Sequence, residues 1–277
     1  MDIRVLDDAA PSILNALKIE DLIVRRLVAA DELLDTSHDL LLKVFDSSVV
    51  DPKSVYVDAL TDRANTFRDF PPLFFACLLP HGQDEWLAGF VSSDLMLIEP
   101  GGDRLHLAVG NIATSPKLRD IGFRGVGTKL WHAALHAAKE EASSVAKRIA
   151  YSSAEAEPAS LPFWSKLGYR WPQGVKYFQP PLEFDNDGNP KEDEVPETLL
   201  VLPIDTTASS IEARELRGII ESIYWNWGVR PSIRKLNSAA FARAKECVIG
   251  RVLQRTLESV PTSGTIPLVE VPAEPIA

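Results

Sequence analysis

Apolar positions set the first map of the chain. Residues 10–23 carry Ile13, Leu14, Leu17 and Leu22, with Pro11 at an early position, and predict a short helix. Residues 23–29, Ile-Val-Arg-Arg-Leu-Val-Ala, follow as a first strand. Over 31–47 the positions Leu33, Leu34, Leu40, Leu41, Val44 and Phe45 fall on one helical face. Asp51-Pro52 breaks that helix, and 54–67 predicts another. Pro71-Pro72 then opens a β region. The continuous apolar run 73–79 reads as a buried strand, 86–98 as a second and 105–114 as a third, with turns at 81–84 and 100–103. Leu130, Trp131, Ala134, Leu135 and Ala138 mark 127–142 as the clearest helix in the chain.

Beyond it, 148–153 predicts a short strand, and 158–167 a short helix ended by Gly168. Residues 175–184 and 198–204 predict a hairpin pair, joined by a polar, acidic loop that reads as mobile. From Ser209 the pattern turns helical, over 211–227 and 238–260, with Pro231 and Asn237 between. The tail from Pro261 holds four prolines and little periodicity, and reads as disordered. The order predicts an α+β fold with a mixed, mostly antiparallel sheet. Four segments follow: an N-terminal helical extension (1–22), a core domain (23–205), a helical C-terminal extension (206–260) and the tail (261–277).

Composition narrows the function classes. The 277 residues are 45% hydrophobic and 25% charged, ordinary for a globular protein. The net charge of −10 disfavours nucleic acid as a partner. Without a run of about 20 apolar residues, no membrane helix is expected. An N-terminus with early acids, and two cysteines only, point to a cytoplasmic protein with reduced thiols.

The chemistry concentrates in Asn111-Ile112-Ala113-Thr114-Ser115-Pro116 and the segment Gly122-Phe123-Arg124-Gly125-Val126-Gly127-Thr128-Lys129. A strand ends, a glycine-rich loop follows and a strong helix begins. That order aims backbone N–H groups and the positive helix end at one point, a site for a pyrophosphate. Arg119, Arg124 and Lys129 add positive charge. The spacing G-x-x-G-x-G is neither a nucleotide P-loop nor a dinucleotide fingerprint, and a plain tight turn before a helix has the same pattern.

This segment resembles the first signature of the GNAT acetyltransferase superfamily: a strand, x-Pro, [QR]-x-x-G-x-[GA], then a helix. Pro162-Phe163-Trp164-Ser165-Lys166-Leu167-Gly168-Tyr169 is similar to its second signature, an aromatic pair before x-K-L-G-[FY]. The resemblance spans roughly 23–204 and is sharp over 111–171. It implies a GNAT-like mixed, mostly antiparallel central sheet flanked by helices, with acetyl-CoA as co-substrate and an amine acceptor. It implies that pantetheine pairs with the backbone of Ile112, Ala113 and Thr114. The pyrophosphate then falls to Arg124, Gly125, Val126, Gly127 and Thr128, with Arg119 nearby. The N–H near Ala113 is the implied oxyanion donor.

Two departures stand out. Gly122 occupies the [QR] place, as if the loop were about three residues longer than usual. Trp164 stands where many relatives have a tyrosine acid; it lines the cofactor site but has no acidic O–H. That departure keeps a second reading open, a catalytically degenerate module that binds CoA or a protein. A third reading makes the helical C-terminus the functional part and the core a scaffold.

Further candidates lie around the signature. His106, in strand phase with Ala108, Gly110 and Ile112, is a candidate base. Asp94 and Glu99 are alternatives. His132 and His136 have metal-ligand spacing but no third ligand nearby, so no metal is expected. Tyr224-Trp225-Asn226-Trp227 offers a core closure or a homodimer contact through the C-terminal helices. Arg243, Lys245, Arg251 and Arg255 form a basic helix face.

Overall fold

The computed structural model describes residues 3–62, 68–230 and 236–271. The end of the helix expected over 54–67, Pro231 and the last six residues of the tail lie outside the described residues. The chain divides into two compact units. One comprises residues 1–66, 70–94 and 109–141, and the other 67–69, 95–108 and 142–277.

The first unit holds β1 (Ile3–Val5), α1 (Pro11–Ala16), β2 (Ile23–Arg26), α2 (Glu32–Val44), α3 (Lys53–Thr61) and β3 (Phe75–His81). It also takes most of β4 (Asp84–Leu97), the C-terminal half of β5 (Arg104–Thr114), α4 (Pro116–Asp120) and nearly all of α5 (Val126–Ser144). Its strands run in the order β2-β3-β4-β5, with β1 parallel to β4. β2 pairs antiparallel with β3, and β3 with β4 across a turn in which Gly82 takes φ +65. Asp31 caps α2, its side chain accepting from Leu33 N at 3.1 Å. The stripe predicted for that helix is the buried one: Leu33, Leu34, Leu40 and Leu41. They share a core with Tyr56, Phe74, Phe90 and Ala113. Each such side chain contributes about 1.5–3 kcal/mol when fully buried.

The helix expected over 10–23 is shorter. α1 ends at Ala16, and a separate 3-10 turn spans Ile19–Asp21. The Asp21 carboxylate accepts from Lys18 N at 3.1 Å, giving that N–H a partner outside any helix.

The second unit holds the rest of β4 and β5, then β6 (Arg148–Ala156), α6 (Leu161–Lys166), β7 (Trp171–Pro172), β8 (Tyr177–Gln179) and β9 (Val195–Pro203). They are followed by β10 (Ser210–Glu212), α7 (Ala213–Ile223), α8 (Ser238–Lys245), α9 (Gln254–Leu257) and β11 (Thr265–Val269). Its strands run β5-β6-β9-β8, with β6–β9 and β8–β9 antiparallel. A π-helical stretch continues α7 over Tyr224–Val229, and another joins α8 to α9 over Glu246–Leu253. Leu216, Ile219, Ile220 and Ile223 of α7 pack with Val248, Val252 and Leu257, and with Tyr151, Tyr177, Leu199 and Val201 of the strands, in one core. The C-terminal helices thus share their apolar interior with β6, β8 and β9.

Two segments differ from expectation. The β8–β9 hairpin forms, but β8 is three residues long, cut off by Pro180-Pro181. Thr265–Val269, expected in a disordered tail, is the middle strand of a three-stranded sheet, β10-β11-β7. Ile266 and Leu268 alternate inward, each 3% exposed. Pro267 lacks a donor, but its carbonyl accepts from Gln173 N at 2.9 Å. Burial of two aliphatic side chains outweighs the proline content.

The strands pair mostly antiparallel with helices flanking them, the α+β class expected from element order. Among the described residues no helix is long and apolar enough to cross a membrane.

Candidate functional site

Within the first unit, β5 leads directly into the glycine-rich segment. Ser115 N donates to Ala88 O at 2.9 Å, holding the end of β5 against β4. The residues expected as a loop after Pro116 form the helical turn α4. It is closed by Gly122 N to Arg119 O at 3.0 Å and Phe123 N to Leu118 O at 2.8 Å, with Gly122 at φ +73. The extra loop length noted in the sequence is thus a helical turn. Arg119 and Arg124 are exposed.

Gly125 sits at φ +101, a conformation open to glycine, and its carbonyl accepts the first α5 hydrogen bond from Lys129 N at 2.9 Å. The N–H groups of Val126, Gly127 and Thr128 therefore have no acceptor within the helix. α5 runs 19 residues, so its N-terminus carries a full helix dipole. Gly89 of β4 fixes where that N-terminus lies. A Cβ there would stand 2.8 Å from Ala113 O and from Val126 Cγ1, so α5 approaches the sheet as closely as backbone allows.

Lys129, expected to add charge for a phosphate, is engaged elsewhere. Its Nζ donates to Ile19 O at 2.9 Å and to Leu22 O. Asp7 Oδ1 accepts from Ser115 Oγ and, at 3.3 Å, from Lys117 N. The N-terminal segment is thus tied to both ends of the glycine-rich region. The Ile19 side chain would touch a Cβ at Gly125 at 3.4 Å. Among the described residues, Arg119 and Arg124 are exposed cations of this loop. Ile112 and Thr114 are half-buried, and Ala113 is 1% exposed in the core formed with α2 and α3. Beside it, Tyr56 OH donates to Asn111 Oδ1 at 2.9 Å.

In the second unit, His106 is fully enclosed. Its Nδ1 lies 3.0 Å from Ser153 Oγ and its Nε2 2.6 Å from Ser222 Oγ. Burial pushes its pKa down to about 3, so the ring is neutral and bonded at both nitrogens at neutral pH. Trp164 is 2% exposed and packs edge-on against Tyr169 at 4.9 Å. Tyr169 OH bonds Ser152 Oγ, which donates to Leu107 O at 2.9 Å.

Asp94 is buried in β4 of the first unit. Glu99 is held by Arg214, at 2.7 Å. His132 and His136 are exposed on α5, and His136 lies 3.6 Å from Glu140. No group of three or more metal-ligating side chains occurs among the described residues. Trp225 and Trp227 pack on their own unit's core, and Lys245 Nζ lies 5.3 Å from the Trp225 ring. Arg251 and Arg255 pair with Glu194 at 3.7 and 2.8 Å.

Reading the sequence alone passed over one cluster. Glu155, Tyr177 and Glu197 come together only through strand register. The signal available was a glutamate two residues before an inward leucine, Glu197 and Leu199, in an alternating strand.

The chain is similar to several known proteins. Residues 40–169 match the model of the acetyltransferase (GNAT) family. A comparison with curated proteins finds no match. Among solved structures it is similar to Arabidopsis thaliana NAA60 in complex with acetyl-CoA, at 11% identity and TM-score 0.46 over 67% of this chain and 99% of that one. It is also similar to the ribosomal-protein-S18-alanine N-acetyltransferase from Escherichia coli, at 14% identity and TM-score 0.42, over 68% and 96%. A third is Arabidopsis thaliana Naa50 with the bisubstrate analogue CoA-Ac-MVNAL, at 11% and 0.42, over 66% and 99%. With its signature order, mixed sheet and matched segment together, this chain carries over residues 40–169 a domain of the acetyltransferase (GNAT) family.

Proposed function

We propose that the protein transfers an acetyl group from acetyl-CoA to an amine by direct attack. The observation that supports this most is the run from β5 through the Gly125 turn into α5. It combines an extended backbone, helix N–H groups without internal acceptors and two exposed arginines. In this reading Ile112, Ala113 and Thr114 pair with pantetheine. The N–H groups of Gly125, Val126, Gly127 and Thr128 take the pyrophosphate, Arg119 and Arg124 neutralise the phosphates, and the Ala113 N–H stabilises the oxyanion. The amine nitrogen bonds to the thioester carbon, the C–S bond breaks and the thiolate takes a proton. His106, neutral and bonded at both nitrogens, is read as a core hydrogen-bonding group, and the amine proton leaves to water. The reaction is placed in the cytoplasm, in keeping with composition.

The test is isothermal titration with acetyl-CoA on the wild type and an Arg119→Glu, Arg124→Glu variant. Both side chains are exposed, so the variant is expected to fold, as circular dichroism would check. Acetyl-CoA affinity is expected to fall tenfold or more, and less so at high salt. No binding by folded wild type would overturn the reading.

One observation favours a second reading. Trp164 fills the place of the thiolate acid, is buried and has no acidic proton. A CoA-binding module without turnover would bind acetyl-CoA yet release no free thiol with any amine.

A further inference from the structure

The N-terminal segment lies against the glycine-rich loop, and both belong to the first unit. β1 fixes its start by pairing with β4, and Leu6, Ala9 and Leu22 are buried anchors. Between them, among the described side chains of residues 10–21, Leu14 alone is buried. Few bonds order this stretch. α1 is six residues long, and the turn after it is closed by Asp21 N to Lys18 O and by Lys18 N to Asp21 Oδ2, both at 3.1 Å. A segment with so little buried apolar surface opens at low cost. Three features set it against an anion at the loop. The Ile19 side chain lies on Gly125, 3.4 Å from where a Cβ would stand. The carbonyls of Ile19 and Leu22 hold the Lys129 ammonium, which withholds the lysine of the first α5 turn from a phosphate. The segment is also acidic: within residues 6–22, Asp7, Asp8, Glu20 and Asp21 stand against Lys18 alone. Glu20 and Asp21 are exposed and directly follow the residue that covers Gly125. Carboxylates beside an anion site oppose the approach of a second anion.

We propose that residues 10–21 form an autoinhibitory strap, which lifts from Gly125 when acetyl-CoA binds and returns Lys129 to the phosphates. Resting on the transferase reading, strap and pyrophosphate compete for one loop. Only the lifted fraction of molecules binds tightly, and the apparent affinity falls by that fraction. The Asp7 carboxylate, which accepts from Ser115 Oγ and Lys117 N, keeps the other end of the segment in place as the strap lifts.

The test is hydrogen exchange on the full chain, alone and with saturating acetyl-CoA or inorganic pyrophosphate, beside calorimetric titration of wild type and Ile19→Ser. Ile19 is half-buried and uncharged, so the variant loosens the strap without changing the charge at the loop. Exchange at the amides of Ile13, Leu14, Leu17, Lys18 and Asp21, each hydrogen-bonded within the segment, is expected to rise when either ligand binds. Ile19→Ser is expected to bind both ligands about fivefold tighter or more. Exchange that is unchanged or falls on binding, or equal affinity in wild type and variant, would overturn the strap, and acetyl-CoA binding in that case leaves the transferase reading intact. Pyrophosphate that raises exchange, without acetyl-CoA binding, would uphold the strap and remove the transferase reading. Neither ligand bound by wild type or variant would overturn both.

Discussion

At the scale of single residues, burial moves two titratable groups in opposite directions. The folded pKa of His106 is near 3, below its ordinary 6.5. Between those values the unfolded chain binds the extra proton, so the stabilisation present above pH 6.5 is lost as pH falls toward 3. Glu197 runs the other way. Its folded pKa near 8 exceeds the ordinary 4.5, so the folded chain binds the extra proton in that window. Stability is fullest below 4.5 and lost as pH rises through 8. Burial first, then the charges of Glu155 and Glu157, set the direction for this group, and Tyr177, opposite it in the strand register, donates to Glu155. Urea unfolding across pH separates the two. Glu197→Gln is expected to flatten the decline between pH 4.5 and 8, and to gain on the order of 1–3 kcal/mol at pH 8. His106→Gln is expected to lose the acid limb, and to cost about 1–3 kcal/mol at pH 7 by disturbing the bonds to Ser153 and Ser222.

At the scale of elements, the position of the α5 N-terminus depends on Gly89. Gly89→Ala forces a Cβ against Ala113 O, Val126 and Leu130, and one of them must shift. A cost of about 1–3 kcal/mol is expected in urea unfolding. A drop in acetyl-CoA affinity should accompany it, because the displaced element carries the N–H groups assigned to the pyrophosphate. Lys129 illustrates a different dependence, since it ties the carbonyls of Ile19 and Leu22 to α5. Lys129→Met is expected to speed limited proteolysis within residues 10–22, read by mass spectrometry, while the helical signal of α5 persists.

At the scale of the whole molecule, the second unit draws its core from residues far apart in the chain. Met96, Tyr151, Leu199, Leu216, Val252 and Leu268 all contribute. The helices after 206 therefore complete the interior of their unit. β11 belongs to the same core through Ile266 and Leu268. A chain ending at residue 260 loses both side chains and the middle strand between β10 and β7. It is expected to lose about 3 kcal/mol or more of stability in urea unfolding. A midpoint equal to that of the full chain would show that β11 is dispensable.

The sequence by itself determined the elements whose signal is local. The apolar stripes of α2, α5 and α7, the order of β3, β4 and β5, and the glycine-rich run into α5 could all be read from periodicity and turn chemistry, because each rests on neighbours a few residues away. The family resemblance was legible in Arg124-Gly125-Val126-Gly127 and Phe163-Trp164 for the same reason. Tertiary structure decided the rest. It enclosed His106 between Ser153 and Ser222, 47 and 116 residues away, where the strand pattern offered a cleft base. It turned Lys129 from the phosphate loop to the N-terminal segment, and made a strand of a proline-containing tail. It also brought Glu155, Tyr177 and Glu197 together through strand register. Which polar group finds which partner depends on packing between distant segments, and burial then sets its charge. Neither is encoded in the spacing of residues along the chain.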